Sequence, residues 1–419
     1  MTPSDPTQAA VIGDIVAQGI AHVETPHAEA AFENEPPTVL FIDQSGELGG
    51  AEFALLPLAR HWASRGKVLL LSDGPFRERL ESAGVSVDVS ANARISGVRR
   101  DALRFAWLGA FPAIAGQVVS IARKARRYDL VFVNSQKALV LGAFGKLLHG
   151  RPVVWYLHDI LSRDHFGRVQ LAIVRWLALH AVDHVIANSR ASADALVSLT
   201  LRPDYPVRVV HNGIDAAAFA VPDAQDRAAL RRRLGLPEDA WLAGLFGRLA
   251  PWKGQHVALA ALARLPGAHL VLAGAALFGE HEYERELHRQ AQALGVADRV
   301  HFAGFCDDVP AWMSAMDVIV HTSTEAEPFG RVIVEGMMAE RAVIATAAGG
   351  VKEIVTHGEN GWLVEPGNID ELVAAMAALR DDPMLAQRLA ARGRADAQRN
   401  FSLDAYLRQM SRAIGDVAV

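Results

Sequence analysis

A single cysteine, Cys306, stands in a chain of 419 residues, so no disulfide can brace the fold from within. That fits a reducing compartment, and the plain role of Cys306 is that of a small buried apolar residue. An excess of one charge is missing too. Lys and Arg number 42 against 47 Asp and Glu, mixed along the chain, which argues against a general nucleic-acid binder. No basic segment followed by an apolar core opens the chain, so no secretory signal is expected and a cytoplasmic protein is. The uncharged stretch from Phe105 to Ala122 is broken by Gly109, Pro112, Gly116, Gln117 and Ser120. It falls short of the about 20 predominantly apolar residues of a membrane span. No fixed-period repeat, no cluster with metal-ligand spacing and no carboxylate pair placed as a glycosidase acid and nucleophile is visible.

What is present is apolar substance for two cores: 51% of the residues are hydrophobic, and the length suits two domains. Residues 1–36 read as a disordered tail rich in proline and acid, with a short helix over Val11 to Val23. Beyond it, short runs of Val, Leu and Ile alternate with helical stretches. Strands are expected at Val39–Asp43, Val68–Ser72, Val85–Val89, Leu130–Asn134, Val153–His158, His184–Asn188 and Val207–Val210. Others follow at Leu242–Phe246, His269–Ala273, Arg299–Ala303, Val318–His321 and Ala342–Ala345. Such runs, apolar on both faces, mark parallel sheets covered by helices, an α/β class. A turn-rich passage with Pro203, Pro206, Asn212-Gly213 and Pro222 suggests a junction. The expected division is therefore 37–206 and 207–400, two doubly wound Rossmann-like domains, with a helix over 401–419 packing back toward the first.

Doubly wound sheets bind ligands outside the carboxyl ends of their strands, and three constellations fall there. Gly46-Glu47-Leu48-Gly49-Gly50-Ala51-Glu52 follows the first strand and precedes a helix. Taken alone it reads equally as an ordinary turn or as a phosphate site, since glycines let backbone approach a ligand and a helix start favours anions. Phe246-Gly247-Arg248-Leu249-Ala250-Pro251-Trp252-Lys253-Gly254 carries two cations in a strand-to-helix loop, a planar fork and a compact charge that together could neutralise a diphosphate. Glu325-Ala326-Glu327-Pro328-Phe329-Gly330-Arg331-Val332-Ile333-Val334-Glu335 is the most specific. A helix starting near Phe329 would turn the amides of Phe329 and Gly330 toward the pocket. Glu335 would sit roughly 7.5 Å further along the axis, on the order of the distance from a phosphate to its ribose. Carboxylates accept from vicinal hydroxyls, so the two glutamates could hold a ribose and a hexose. The plainer alternative is two solvated acids near a helix start.

Together with Gly349-Gly350-Val351-Lys352-Glu353-Ile354, Asn360-Gly361-Trp362-Leu363-Val364 and Asn212-Gly213-Ile214-Asp215, these segments resemble family 4 of the retaining glycosyltransferases. The resemblance runs from Val39 to the C-terminus, strongest over 241–366. It implies the GT-B fold, two Rossmann-like domains facing across a cleft, and transfer of a sugar from a nucleotide-diphosphate donor without metal or other cofactor. It implies that Arg248 and Lys253 hold the diphosphate, Glu327 the donor sugar and Glu335 the ribose. Gly49 and Gly50 would lie beside phosphate and acceptor. His158, in Trp155-Tyr156-Leu157-His158-Asp159, would lie beside the transferred sugar, with Asp159 as a further positioning residue. Glu340 and Ala342 stand where the family often has Gly and Pro, which bears on the shape of that turn rather than on the chemistry.

The implied acceptor is a glycan or lipid-linked saccharide of cell-surface polysaccharide synthesis. Between Arg94 and Arg127 eight basic residues face one acid, Asp101, interleaved with Phe105, Trp107 and Phe111, a composition suited to peripheral contact with an anionic membrane. Ordinary helices covering the sheet would read the same way. Two rival functions share the fold: a nucleotide-sugar 2-epimerase, which needs no acceptor, and a non-catalytic nucleotide-sugar binding subunit, which need not retain His158 and Glu327.

Overall fold

The structure, a computed structural model, describes residues 35–90, 106–163, 165–219, 221–276 and 279–418. The expected tail up to residue 34, with its short helix, lies outside the described residues. So do the first part of the basic stretch, with Arg94, Asp101 and Phe105, and the side chains of Trp107 and Phe111.

Two parallel sheets carry the described chain. The first runs β3-β2-β1-β4-β5-β6-β7, with β1 Val39–Asp43, β2 Gly66–Leu70, β3 Val87–Val89, β4 Leu130–Val133, β5 Val153–Leu157, β6 His184–Ala187 and β7 Val207–Val209. The second runs β10-β9-β8-β11-β12-β13, with β8 Trp241–Phe246, β9 Ala268–Ala273, β10 Val300–Gly304, β11 Val318–His321, β12 Ala342–Thr346 and β13 Trp362–Val364. Each sheet starts in its middle, winds outward, and returns to wind the other way. This leaves a switch point between β1 and β4 and another between β8 and β11, where neighbouring crossovers diverge and open a crevice.

The apolar runs explain the layers. β1, β4, β5 and β12 are buried at every residue because helices cover both faces. One buried cluster joins Leu40, Ile42, Val131, Trp155 and Leu177; Leu270, Ile344 and Met376 anchor a second, on one face of the other sheet. Val271, Ile319 and Met337 fill that sheet's opposite face.

Two expectations are corrected. Val207–Val209, assigned to the second domain, pairs with β6 through Val185, Ile186 and Ala187 and closes the first sheet. Its half-buried residues do not distinguish an outer strand of one sheet from the opening strand of the next. Trp362–Val364, known only as a motif, is a strand pairing with β12.

The last helix, Leu403–Ala418, returns to the first sheet's side. The Tyr406 hydroxyl donates to the Ala54 carbonyl at 2.9 Å, and Arg208 meets Asp416 at 2.8 Å. No helix among the described residues is long and apolar enough to cross a membrane.

Candidate active site

The carboxyl ends of β8 and β11 carry the cation loop and the glutamate loop. Lys253 and Glu327 meet there: Nζ lies 2.8 Å from Oε1 and 2.7 Å from Oε2, and both side chains are largely buried. Burial alone would raise the Glu327 pKa. The Lys253 charge and the hydrogen bond from His321 outweigh it and hold the carboxyl far below its usual range. Ser323 donates to the same oxygen at 3.0 Å, and His321 sits 3.3 Å away, its other ring nitrogen beside Thr346.

Backbone fit fixes the pair. Gly254 follows Lys253 with φ 71°, and a side chain there would begin 2.0 Å from the Thr322 carbonyl oxygen. Thr322 in turn donates to the carbonyl of Gly254, and the Thr324 amide to that of Trp252. Behind Glu327, Gly349 has φ 61° and no room for a Cβ, which would lie 2.2 Å from the Glu327 carbonyl. That carbonyl accepts from the Gly350 amide at 2.9 Å. Tight backbone apposition is therefore why two glycines precede Val351.

Gly330 caps the helix Arg331–Met338 with φ 101°, so the helix begins two residues later than expected, and the amides at its start lack intrahelical acceptors. One turn in, Glu335 accepts from Arg331 Nη2 at 2.9 Å. Arg248 Nη1 approaches Glu280 at 3.5 Å.

The first sheet presents a different surface. Asp43 ends β1, Asn134 follows β4 and His158 follows β5. Asn134 donates to Asp43, and its Oδ1 lies 2.9 Å from His158 Nε2, so the imidazole donates there and keeps Nδ1 as an acceptor. Burial, with the charge of Arg331 adding to it, pushes His158 down to about 3, so the ring is neutral. Asp43 is fully buried, and burial lifts its pKa despite the Asn134 bond. Glu52, in the first turn of the helix Gly50–His61, is lifted further, first by burial and then by the charge of Asp43. Asp159 accepts from Gln136 at 3.2 Å. Gly49 is the helix cap, and Gly50 faces Arg331 of the second domain.

The structure thus brings Lys253 to Glu327, Arg331 to Glu335, and Arg331 across to Gly50, with His158 within reach of its charge. Sequence reasoning missed Asp43, Asn134, His321 and Ser323, and gave Glu52 no role. Asp43 and Asn134 flank the switch point, a signal available only once strand order is known.

Comparison with known proteins adds to this geometry. The model described as "Glycosyltransferase Family 4" matches residues 48–218, and "Glycosyl transferases group 1" matches 226–396. A crystal structure of HepE from Anabaena in complex with UDP-glucose is 38% identical, with a TM-score of 0.83 over 91% of this chain and 100% of that one. A lipopolysaccharide core biosynthesis mannosyltransferase, LpsB of Rhizobium meliloti, is 30% identical over 65% of this chain and 78% of its own. A D-inositol 3-phosphate glycosyltransferase of Thermomonospora curvata is 29% identical over 83% and 86%.

Proposed function

The chain belongs to glycosyltransferase family 4, and on that premise we propose that it transfers hexose from a UDP-linked donor with retention of configuration. The observation that carries the reading is the Lys253–Glu327 pair beside a helix start. An ammonium has three N–H groups. Two meet Glu327, leaving one for a phosphate oxygen beside the carboxylate that would take sugar hydroxyls. As the sugar–phosphate bond breaks, negative charge grows on the diphosphate, and Lys253, Arg248 and the amides of Phe329 and Gly330 would stabilise it in place. These cations supply the neutralisation a metal would otherwise give. Glu335 would hold the ribose. His158, neutral with Nδ1 as acceptor, would take a hydrogen bond from a hydroxyl of the transferred sugar, and Gly49 and Gly50 would let phosphate and acceptor approach.

UDP-glucose is the first donor to test because HepE, at 38% identity, was crystallised with it. The relatives in lipopolysaccharide core synthesis make a glycan or lipid-linked saccharide the acceptor to test. Such an acceptor suits a basic stretch, Arg94 to Arg127, resting on the anionic inner face of the cytoplasmic membrane. The test is thermal stabilisation by UDP, GDP and ADP, followed by sugar release and transfer with the matching donors. UDP should raise the melting temperature most. Stabilisation by none of the three would end the reading.

A further inference from the structure

Arg331 opens a helix of the second domain, yet its side chain is spent on the first. Its Cδ lies 4.0 Å from where a side chain on Gly50 would begin, and its guanidinium lies 5.9 Å from the centre of the Phe53 ring. Its charge reaches His158 and helps keep that ring neutral. One edge of the guanidinium is fixed, since Nη2 donates to Glu335 at 2.9 Å. The other is not: Nη1 is buried and has no hydrogen-bond partner. A buried cationic donor left unsatisfied is costly, and where one persists beside a cleft an acceptor from outside the chain is the natural complement.

We propose that Arg331 is a third phosphate-binding cation of the donor site, presenting Nη1 to the diphosphate oxygens from the side of the Gly49-Gly50 loop. This rests on the reading that the cleft takes a nucleotide diphosphate. Three features support an anion of that kind. Gly50 puts bare backbone, with no side chain, beside the Arg331 stem where its Cδ approaches, and such backbone lets a ligand come close. The planar fork suits phosphate oxygens, and Glu335 pre-orients it. The Phe53 ring covers one side, which keeps water away and strengthens the charge. Glu335 would then be shared between the ribose and the cation that meets the adjoining phosphates. A donor so held touches both domains through one side chain.

The rival role is structural: Arg331 orients Glu335 and acts on the ribose alone. Binding of UDP and of UMP to the full chain separates the two, because only UDP carries the second phosphate. Arg331→Met should weaken UDP by about 10-fold or more, the value of one charge-assisted hydrogen bond, while weakening UMP by less than about 3-fold. Arg331→Lys, which keeps charge but loses the fork, should fall between and decides the matter if the Met variant does not fold. Glu335→Gln, whose amide oxygen can still accept from Nη2 and keep Arg331 oriented, is the control and should weaken both nucleotides to a similar extent. Equal losses for UDP and UMP on changing Arg331, or no loss at all, would overturn the proposal. Failure of the unaltered chain to bind UDP would instead remove the donor reading beneath it, and that result is visible before any variant is made.

Discussion

The carboxyl edges of the two sheets solve the problem of buried charge in opposite ways. On the second sheet the two glutamates of the candidate site each have a cation, Lys253 on Glu327 and Arg331 on Glu335, while Glu280 near Arg248 is raised by burial. On the first, Asp43 and Glu52 are buried with raised pKa values and His158 is held neutral. One edge holds paired charges, which on the proposed reading would receive a diphosphate. The other buries acids with no cation among the described residues beside them: Asp43 is raised to about 6 and Glu52 to about 8, next to a neutral imidazole. On the proposed reading, cations stand where charge would develop, and the neutral His158 and Glu52 lie on the side from which an alcohol would come.

Breaking the charged edge should have the largest effect. Lys253→Met or Glu327→Gln should each lower turnover by about 100-fold or more, because both act where charge develops. Each also strands a largely buried partner, at a cost on the order of 3 kcal/mol. The double variant should regain most of that stability and none of the turnover, as read from denaturant midpoints beside initial rates. Recovery of turnover in the double variant would mean the pair is structural.

The first edge should answer to pH. An unfolded Glu52 loses its proton near 4.5, whereas the folded one holds it up to about 8. Between those values the native state binds the extra proton, so stability falls as pH rises through the window and the penalty is complete above it. Glu52→Gln is neutral throughout. It should therefore melt roughly 2–4 °C or more above the parent at pH 8.5, with the difference closing toward pH 4.5. The same increment at both ends would mean Glu52 is not held protonated.

A smaller effect is expected behind the charged edge. Glu340 sits at φ 54°, in the left-handed region, where the family resemblance expects glycine. Glu340→Gly should stabilise the chain by about 1 kcal/mol, since relief of the strained backbone exceeds the entropy that glycine adds. Destabilisation would give that role to the Glu340–Arg394 contact, 3.8 Å apart and partly exposed.

Much of this was legible in the sequence, and the gaps have physical causes. β1 and β11 were bounded correctly because continuous apolar runs end there at Asp43 and His321. The Glu327 loop and the helix carrying Glu335 were legible, but the helix starts two residues later than expected because Gly330 takes a left-handed φ at its cap. β7 went to the wrong domain because pairing, not composition, decides which sheet owns an edge strand. The Asn134 bridge between Asp43 and His158 was invisible because its members lie 91 and 24 residues apart and meet only through strand order. Arg331 was noted beside Glu327, but nothing local shows that its side chain leaves its own domain.

On the proposed reading the charged edge would stabilise the leaving diphosphate, and the reaction would need no base from the protein. Inversion would need a base opposite the leaving group, whereas Glu327 and Glu335 are paired with cations and His158 is read as the acceptor of a sugar hydroxyl. Attack from the leaving-group face needs only the departing phosphate to take the proton. Proton NMR of the earliest product formed from UDP-α-glucose reads the outcome from the anomeric coupling. An α-linked product is expected. A β-linked product would contradict that expectation and turn attention to Asp159, Asp43 and Glu52, the carboxylates of the first edge.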